Sequence, residues 1–119
     1  MKKQMILALT SLSILSACMS ADDMRPTQLT QPQIDIVHQG VKDGLIDPNS
    51  AILGNPVAAY DKSNPQNIRV CGLVNAKNRF GGYTGNQWYY GDLVSNRFEL
   101  IDFNADGNVF THARLCPFG

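Results

Sequence analysis

The hydrophobic pattern of this chain changes period once, and that change limits the architectures open to it. Between positions 30 and 45, Ile34, Val37, Val41 and Leu45 recur at spacings of three and four, which marks one apolar face of a helix. After Pro48 the period falls to two. Ile68, Val70 and Val74 share one side of an extended segment, Cys71 and Leu73 the other, and apolar residues on both sides suit a central strand. A helix followed only by strands predicts an α+β fold, with one N-terminal helix packed on an antiparallel β-sheet of four or five strands.

Local chemistry supports each element. Thr30 and Gln33 form a capping box, Pro32 sits in the first turn where its missing donor matters least, and Gly44 supplies the stop. Gly40 weakens the helix by about 1 kcal/mol relative to alanine, so packing must hold it in place. His38, beside the apolar stripe, reads as a boundary residue. Residues 47–51 (DPNSA) form a turn that opens one short helical turn. Strands are expected at 57–60, 68–75, 86–94, 97–103 and 109–115, with loops at 61–67 and 76–85 and an Asp-Gly turn at 104–107. With 119 residues, 44% of them apolar and 17% charged, the chain holds one domain with a core, not a disordered, coiled-coil or multidomain protein. Ten basic residues against ten acidic ones argue against a nucleic-acid partner, which calls for a basic excess.

The first residues read as export machinery. Lys2 and Lys3 precede an apolar stretch over 5–15 that is too short for a bilayer anchor, which needs about 20 residues. Leu15, Ser16, Ala17 and Cys18 then resemble the lipobox of bacterial lipoproteins. That resemblance implies a diacylglycerol on the Cys18 thiol, removal of residues 1–17 and acylation of the new amino group. Several acyl chains hold a soluble domain where one would be marginal. The alternative is an ordinary secretory peptide cut near Ala17 or Ala21, with Cys18 a plain thiol. In enterobacterial lipoproteins an Asp after the cysteine retains the protein in the inner membrane; Met19 stands there, which favours the outer membrane, facing the periplasm. Residues 18–29, polar and interrupted by Pro26, read as the acylated tether, its eleven residues after Cys18 reaching at most about 37–40 Å, and 30–119 as the single domain.

The remaining cysteines, Cys71 and Cys116, form a natural disulfide in an oxidising compartment, contributing roughly 3–4 kcal/mol through loop closure. A competing reading makes Cys71 the nucleophile of a thiol-dependent enzyme with His112 as base, and requires both thiols reduced.

The densest chemistry lies at 71–85, CGLVNAKNRFGGYTG. Together with the 47–51 turn it resembles a small exported proteobacterial family carrying DP-x-SA and then CG-x-VN-x-KN-x-x-GGY-x-G. The resemblance spans about residues 47–90 and implies a shared fold without assigning an activity. This chain departs from the family at Leu73, where a polar residue is commoner, and in the aromatic run Trp88, Tyr89, Tyr90. Read physically, Asn75, Lys77, Asn78 and Tyr83 could line a polar pocket in which Lys77 meets an anion; alternatively the asparagines satisfy turn backbone and Lys77 is solvated. Among Phe80, Tyr83, Trp88, Tyr89 and Tyr90, strand alternation sends one set into the core and leaves the other, with Trp88 and Tyr90, for contact.

No other signature points to catalysis, a metal or a cofactor. Gly81, Gly82 and Gly85 lack the Lys-Ser/Thr pair of a phosphate loop, and the run from Asp102 to Asn108 has Ala113 where an EF-hand needs a bidentate Glu. The expectation is therefore a noncatalytic binding or structural lipoprotein of the cell envelope, anchored by its acyl chains and contacting an envelope protein or peptidoglycan through Asn75, Lys77, Asn78, Tyr83, Trp88 and Tyr90. The alternatives are an inhibitor or exclusion factor acting on a hydrolase or phage receptor, and the Cys71 enzyme.

Overall fold

The structure, a computed structural model, describes residues 24–104 and Cys116. Its elements run β1 (Met24–Thr27), α1 (Gln31–Asp43), a 3-10 turn (Pro48–Ser50), β2 (Ile52–Leu53), β3 (Val57–Asp61), β4 (Asn64–Asn75), β5 (Gln87–Val94) and β6 (Arg97–Asn104). The strands make one antiparallel sheet in the order β1-β3-β4-β5-β6, with β2 pairing the end of β4. The α+β architecture holds, but the described residues contain six strands where four or five were expected.

The two additional strands explain the difference. β1 lies in the segment read as tether and pairs Met24 to Thr27 with Asp61 to Ala58. It is an edge strand, so Pro26 can lack a donor and no period-two alternation is imposed on both sides. The part of the tether segment from Met24 to Thr27 is thus a strand of the sheet, while residues 18–23 lie outside the described residues. β2 has only two residues, too few to show a period. β4 also starts earlier than expected, absorbing Asn64 to Asn67 from the 61–67 loop. Pro65 is tolerated there because the register slips beside Asp61 and leaves it without a partner on β3.

Thr30 caps α1 as its sequence indicates, with both halves of the capping box formed and Pro32 in the first turn. Val37 and Val41 are fully buried against Ala58, Val70, Val74, Tyr89 and Leu93, while Ile36, Leu45, Phe98, Leu100 and Phe103 flank them. Glycines set how closely the layers approach. A Cβ on Gly40 would stand 2.6 Å from Phe98 Cδ1, which is the packing that keeps this weak helix former in place. Gly44 ends the helix as expected, with φ −90°, a conformation open to any residue. Its role is space, since a Cβ would lie 2.8 Å from Leu100 Cδ2 and 3.3 Å from Phe103 Cε2. Gly72 gives way in the same manner to the Tyr89 ring opposite it. His38 sits at the edge of this interface, its Nε2–H donating to the Gly54 carbonyl at 3.3 Å.

The opposite face of the sheet carries Cys71, joined to Cys116 with their Cα atoms 6.3 Å apart. Both sulfur-bearing residues are buried, so the chain returns over this face at Cys116. The expected turn at 104–107, the strand at 109–115 and His112 lie outside the described residues. Among those described, no helix is long and apolar enough to cross a membrane.

Candidate functional site

Strand β4 ends at Asn75, and the chain then makes a loop before β5 resumes at Gln87. The loop is folded on its own side chains. Asn78 Oδ1 accepts the Phe80 N–H at 2.9 Å and the Gly82 N–H at 3.2 Å, while Asn78 N–H donates to the Gly82 carbonyl at 2.9 Å. Asn75 Oδ1 accepts the Gly85 N–H at 3.2 Å. Gly81 and Gly85 have φ values of 80° and 95°, a region that other residues enter at a cost, and a Cβ at either would touch nothing. These two glycines are present for backbone conformation and not for space.

The 47–51 turn is bonded to this loop through Ser50. The Ser50 hydroxyl accepts the Lys77 N–H and donates to the Asp47 carbonyl, both at 2.8 Å, and the Ser50 carbonyl accepts the Tyr83 hydroxyl at 3.0 Å. Lys77 and Tyr83 also form a β-bridge, with Lys77 Nζ 5.5 Å from the centre of the Tyr83 ring. Thus the two motifs that stand 20 residues or more apart in sequence form one structural unit. Ser50 is the residue that sequence reasoning missed. The pairing of the two motifs was the available signal, but neither motif identifies the contact atom.

Asn75, Lys77, Asn78 and Tyr83 are therefore brought together, although the amides of Asn75 and Asn78 serve the loop backbone rather than an open pocket. Trp88 and Tyr90 belong to the strand that follows the loop. They lie along β5 opposite Leu73 and Cys71, on the face away from the helix. Arg69 covers Tyr90 at 5.8 Å from its ring centre and pairs with Asp92 at 2.6 Å. Tyr89, between them, is wholly buried and edge-on to Phe98, so the alternation expected of this aromatic run is realised.

What the loop presents outward is aromatic and cationic. Phe80 is 88% exposed at its tip and Tyr83 48% exposed, with Arg79 exposed beside them. Ile46 and Ile52, flanking the 47–51 turn, are also exposed. A cleft of about 230 Å³ separates the loop from the end of α1, bounded by Leu45, Ile46, Lys77, Asn78, Thr84 and Phe103 among others. Among the described residues no group of three or more His, Cys, Asp or Glu side chains could hold a metal ion. The Cys71 sulfur is engaged with Cys116 in this form.

No protein-family model matches the chain, and comparison with curated proteins and with solved structures finds no match either.

Proposed function

We propose that the protein is a binding module of the cell envelope, anchored in the outer membrane by acyl chains on Cys18 and contacting another envelope protein or peptidoglycan through the 75–87 loop. The observation that carries this reading is Phe80, exposed at the tip of a loop whose conformation is fixed by Asn75, Asn78 and Ser50. A large aromatic held ready on an ordered loop loses little conformational freedom on binding, which is the property of an interface anchor. The same loop carries Arg79 next to that anchor in sequence, and Lys77 over the Tyr83 ring, which add positive charge and a second π-face. The combination suits a partner with a flat apolar surface and carboxylates beside it, such as a sugar ring bearing acidic substituents or an acidic protein patch.

The test is photocrosslinking in intact cells from a reactive amino acid placed at Arg79, with and without Phe80→Ala. Phe80 makes no described contact with the core, so the variant should fold with an unchanged unfolding midpoint and lose the crosslinked partner. A folded Phe80→Ala protein that keeps every crosslink would overturn the proposal.

A further inference from the structure

The position of β1 gives the domain a direction relative to its anchor. Only five residues separate Cys18 from Met24, which is already paired with Asp61 at one end of the sheet. Fully extended, that leash spans about 20 Å, roughly half of what a tether to residue 29 would allow. The end it reaches also holds the β3–β4 turn at Lys62 and Ser63 and the β5–β6 turn at Ser95 and Asn96. The 75–87 loop and the Ser50 turn lie at the other end of β4, a strand of twelve residues or roughly 36–40 Å.

Exposed basic side chains gather at the anchored end. Arg25 on β1, Lys62 in one turn and Arg97 just after the other are all exposed. The carboxylate there, Asp61, is a buried residue whose oxygen accepts the Ser63 N–H at 2.8 Å and hydroxyl at 2.7 Å. Asp92, paired with Arg69, and the exposed Glu99 opposite it lie further along the sheet. Asp22 and Asp23 belong to the leash itself.

We infer that this hairpin end is a membrane-facing surface, on which Lys62 and Arg97 meet anionic lipid headgroups, and that the Phe80 loop points away from the membrane that holds the anchor. The inference rests on acylation of Cys18, as does the proposed function. Juxtamembrane cations of this kind act within about a Debye length of the headgroups, some 10 Å at 0.1 M salt, a gap the short leash can close. The loop would then stand at least a strand's length above the bilayer, so its partner is membrane-distal.

The acylated full-length protein, reconstituted into vesicles containing phosphatidylglycerol and a headgroup energy acceptor, tests this directly. A donor is attached through a clickable amino acid at position 96 or 79, and intact mass is read on the same samples. Energy transfer from 96 should exceed that from 79 by roughly twofold or more, given the strand length between the two ends. Lys62→Glu with Arg97→Glu should lower transfer from 96 on these vesicles and leave it unchanged on neutral phosphatidylcholine. Equal transfer from both positions on an acylated protein would overturn the orientation alone. Indifference of transfer to charge reversal would overturn the headgroup contact. An intact mass without acyl chains would overturn the anchor, and this inference with it.

Discussion

Gly72→Ala is the sharpest test of how the helix face of the sheet is packed. Gly72 and Tyr89 are directly opposed on β4 and β5, and a Cβ at Gly72 would lie 2.6 Å from Tyr89 Cζ and 2.8 Å from Cε1. Tyr89 has no exposed surface and packs edge-on against Phe98, so its ring cannot swing into solvent. Ring or strand must shift by several tenths of an ångström. Overpacking of this kind costs about 1–3 kcal/mol, and the upper end is expected here because a rigid ring, not a flexible chain end, must give way. Tyr89→Leu alone should lose about 2–4 kcal/mol from the emptied core. In the double variant the shorter side chain clears the space the new methyl needs, so its loss should fall about 1–2 kcal/mol short of the sum. Urea unfolding of all four proteins, oxidised and with matched m-values, measures this coupling. Strictly additive losses would refute the steric account.

Four other outcomes follow from single contacts. The Tyr89 hydroxyl is buried with no hydrogen-bond partner among the described residues, so Tyr89→Phe should be neutral or stabilising by about 1 kcal/mol in urea. Burial also pushes the Tyr89 phenol up to about 12, so stability should be full below roughly pH 10, the ordinary tyrosine value, and fall as pH rises toward 12; spectrophotometric titration of Tyr89→Phe should lack that last step. Ser50→Ala removes the acceptor for Lys77 N–H and should cost about 1–2 kcal/mol, with faster amide exchange at Lys77 than at core strand positions. The Ser63 hydroxyl, and secondarily its N–H, hold the Asp61 carboxyl below the ordinary range, so its stabilisation is complete above about pH 4 and is lost as pH falls through that lowered value. Acid unfolding of Asp61→Asn should show a shallower dependence there; an unchanged profile would remove Asp61 from the account.

Much of this fold can be read in the sequence because its strongest elements satisfy several constraints at once. Thr30, Gln33 and Pro32 mark where α1 starts, and the stripe of Val37 and Val41 marks the face it buries. The alternation about Tyr89 likewise leaves one solution, since a one-residue slip would place Trp88 and Tyr90 in the core. What sequence does not show is whatever depends on a neighbour distant along the chain. Met24 to Thr27 become a strand only because Ala58 and Ala59 leave an edge open to them. Gly44 looks like a conformational stop, yet it is required by Leu100 and Phe103, more than fifty residues away. The motif residues of the candidate site were visible as a group, but their roles depend on Ser50 closing the unit from outside it.

The direction of those hydrogen bonds changes what the site can recognise. Had the amides of Asn75 and Asn78 faced a cavity, the loop would have read a ligand by donors and acceptors, and an Asn→Asp change would have altered specificity. Instead Asn78 accepts from Phe80 and Gly82, and Asn75 accepts from Gly85, so both oxygens stabilise the loop from within. Tyr83 gives its hydroxyl to Ser50 and only its ring remains outward, with Lys77 above it. The groups left for a partner are therefore the Phe80 ring, the Tyr83 face and two cations. Recognition through faces and charge tolerates variation in the partner's hydrogen-bonding groups but depends on loop shape, because two rings must present together. Changes at Asn78 should then weaken binding by loosening the loop and Phe80→Ala by removing the contact, and amide exchange at Gly82 separates the two causes: it rises for Asn78→Ala and stays as it was for Phe80→Ala.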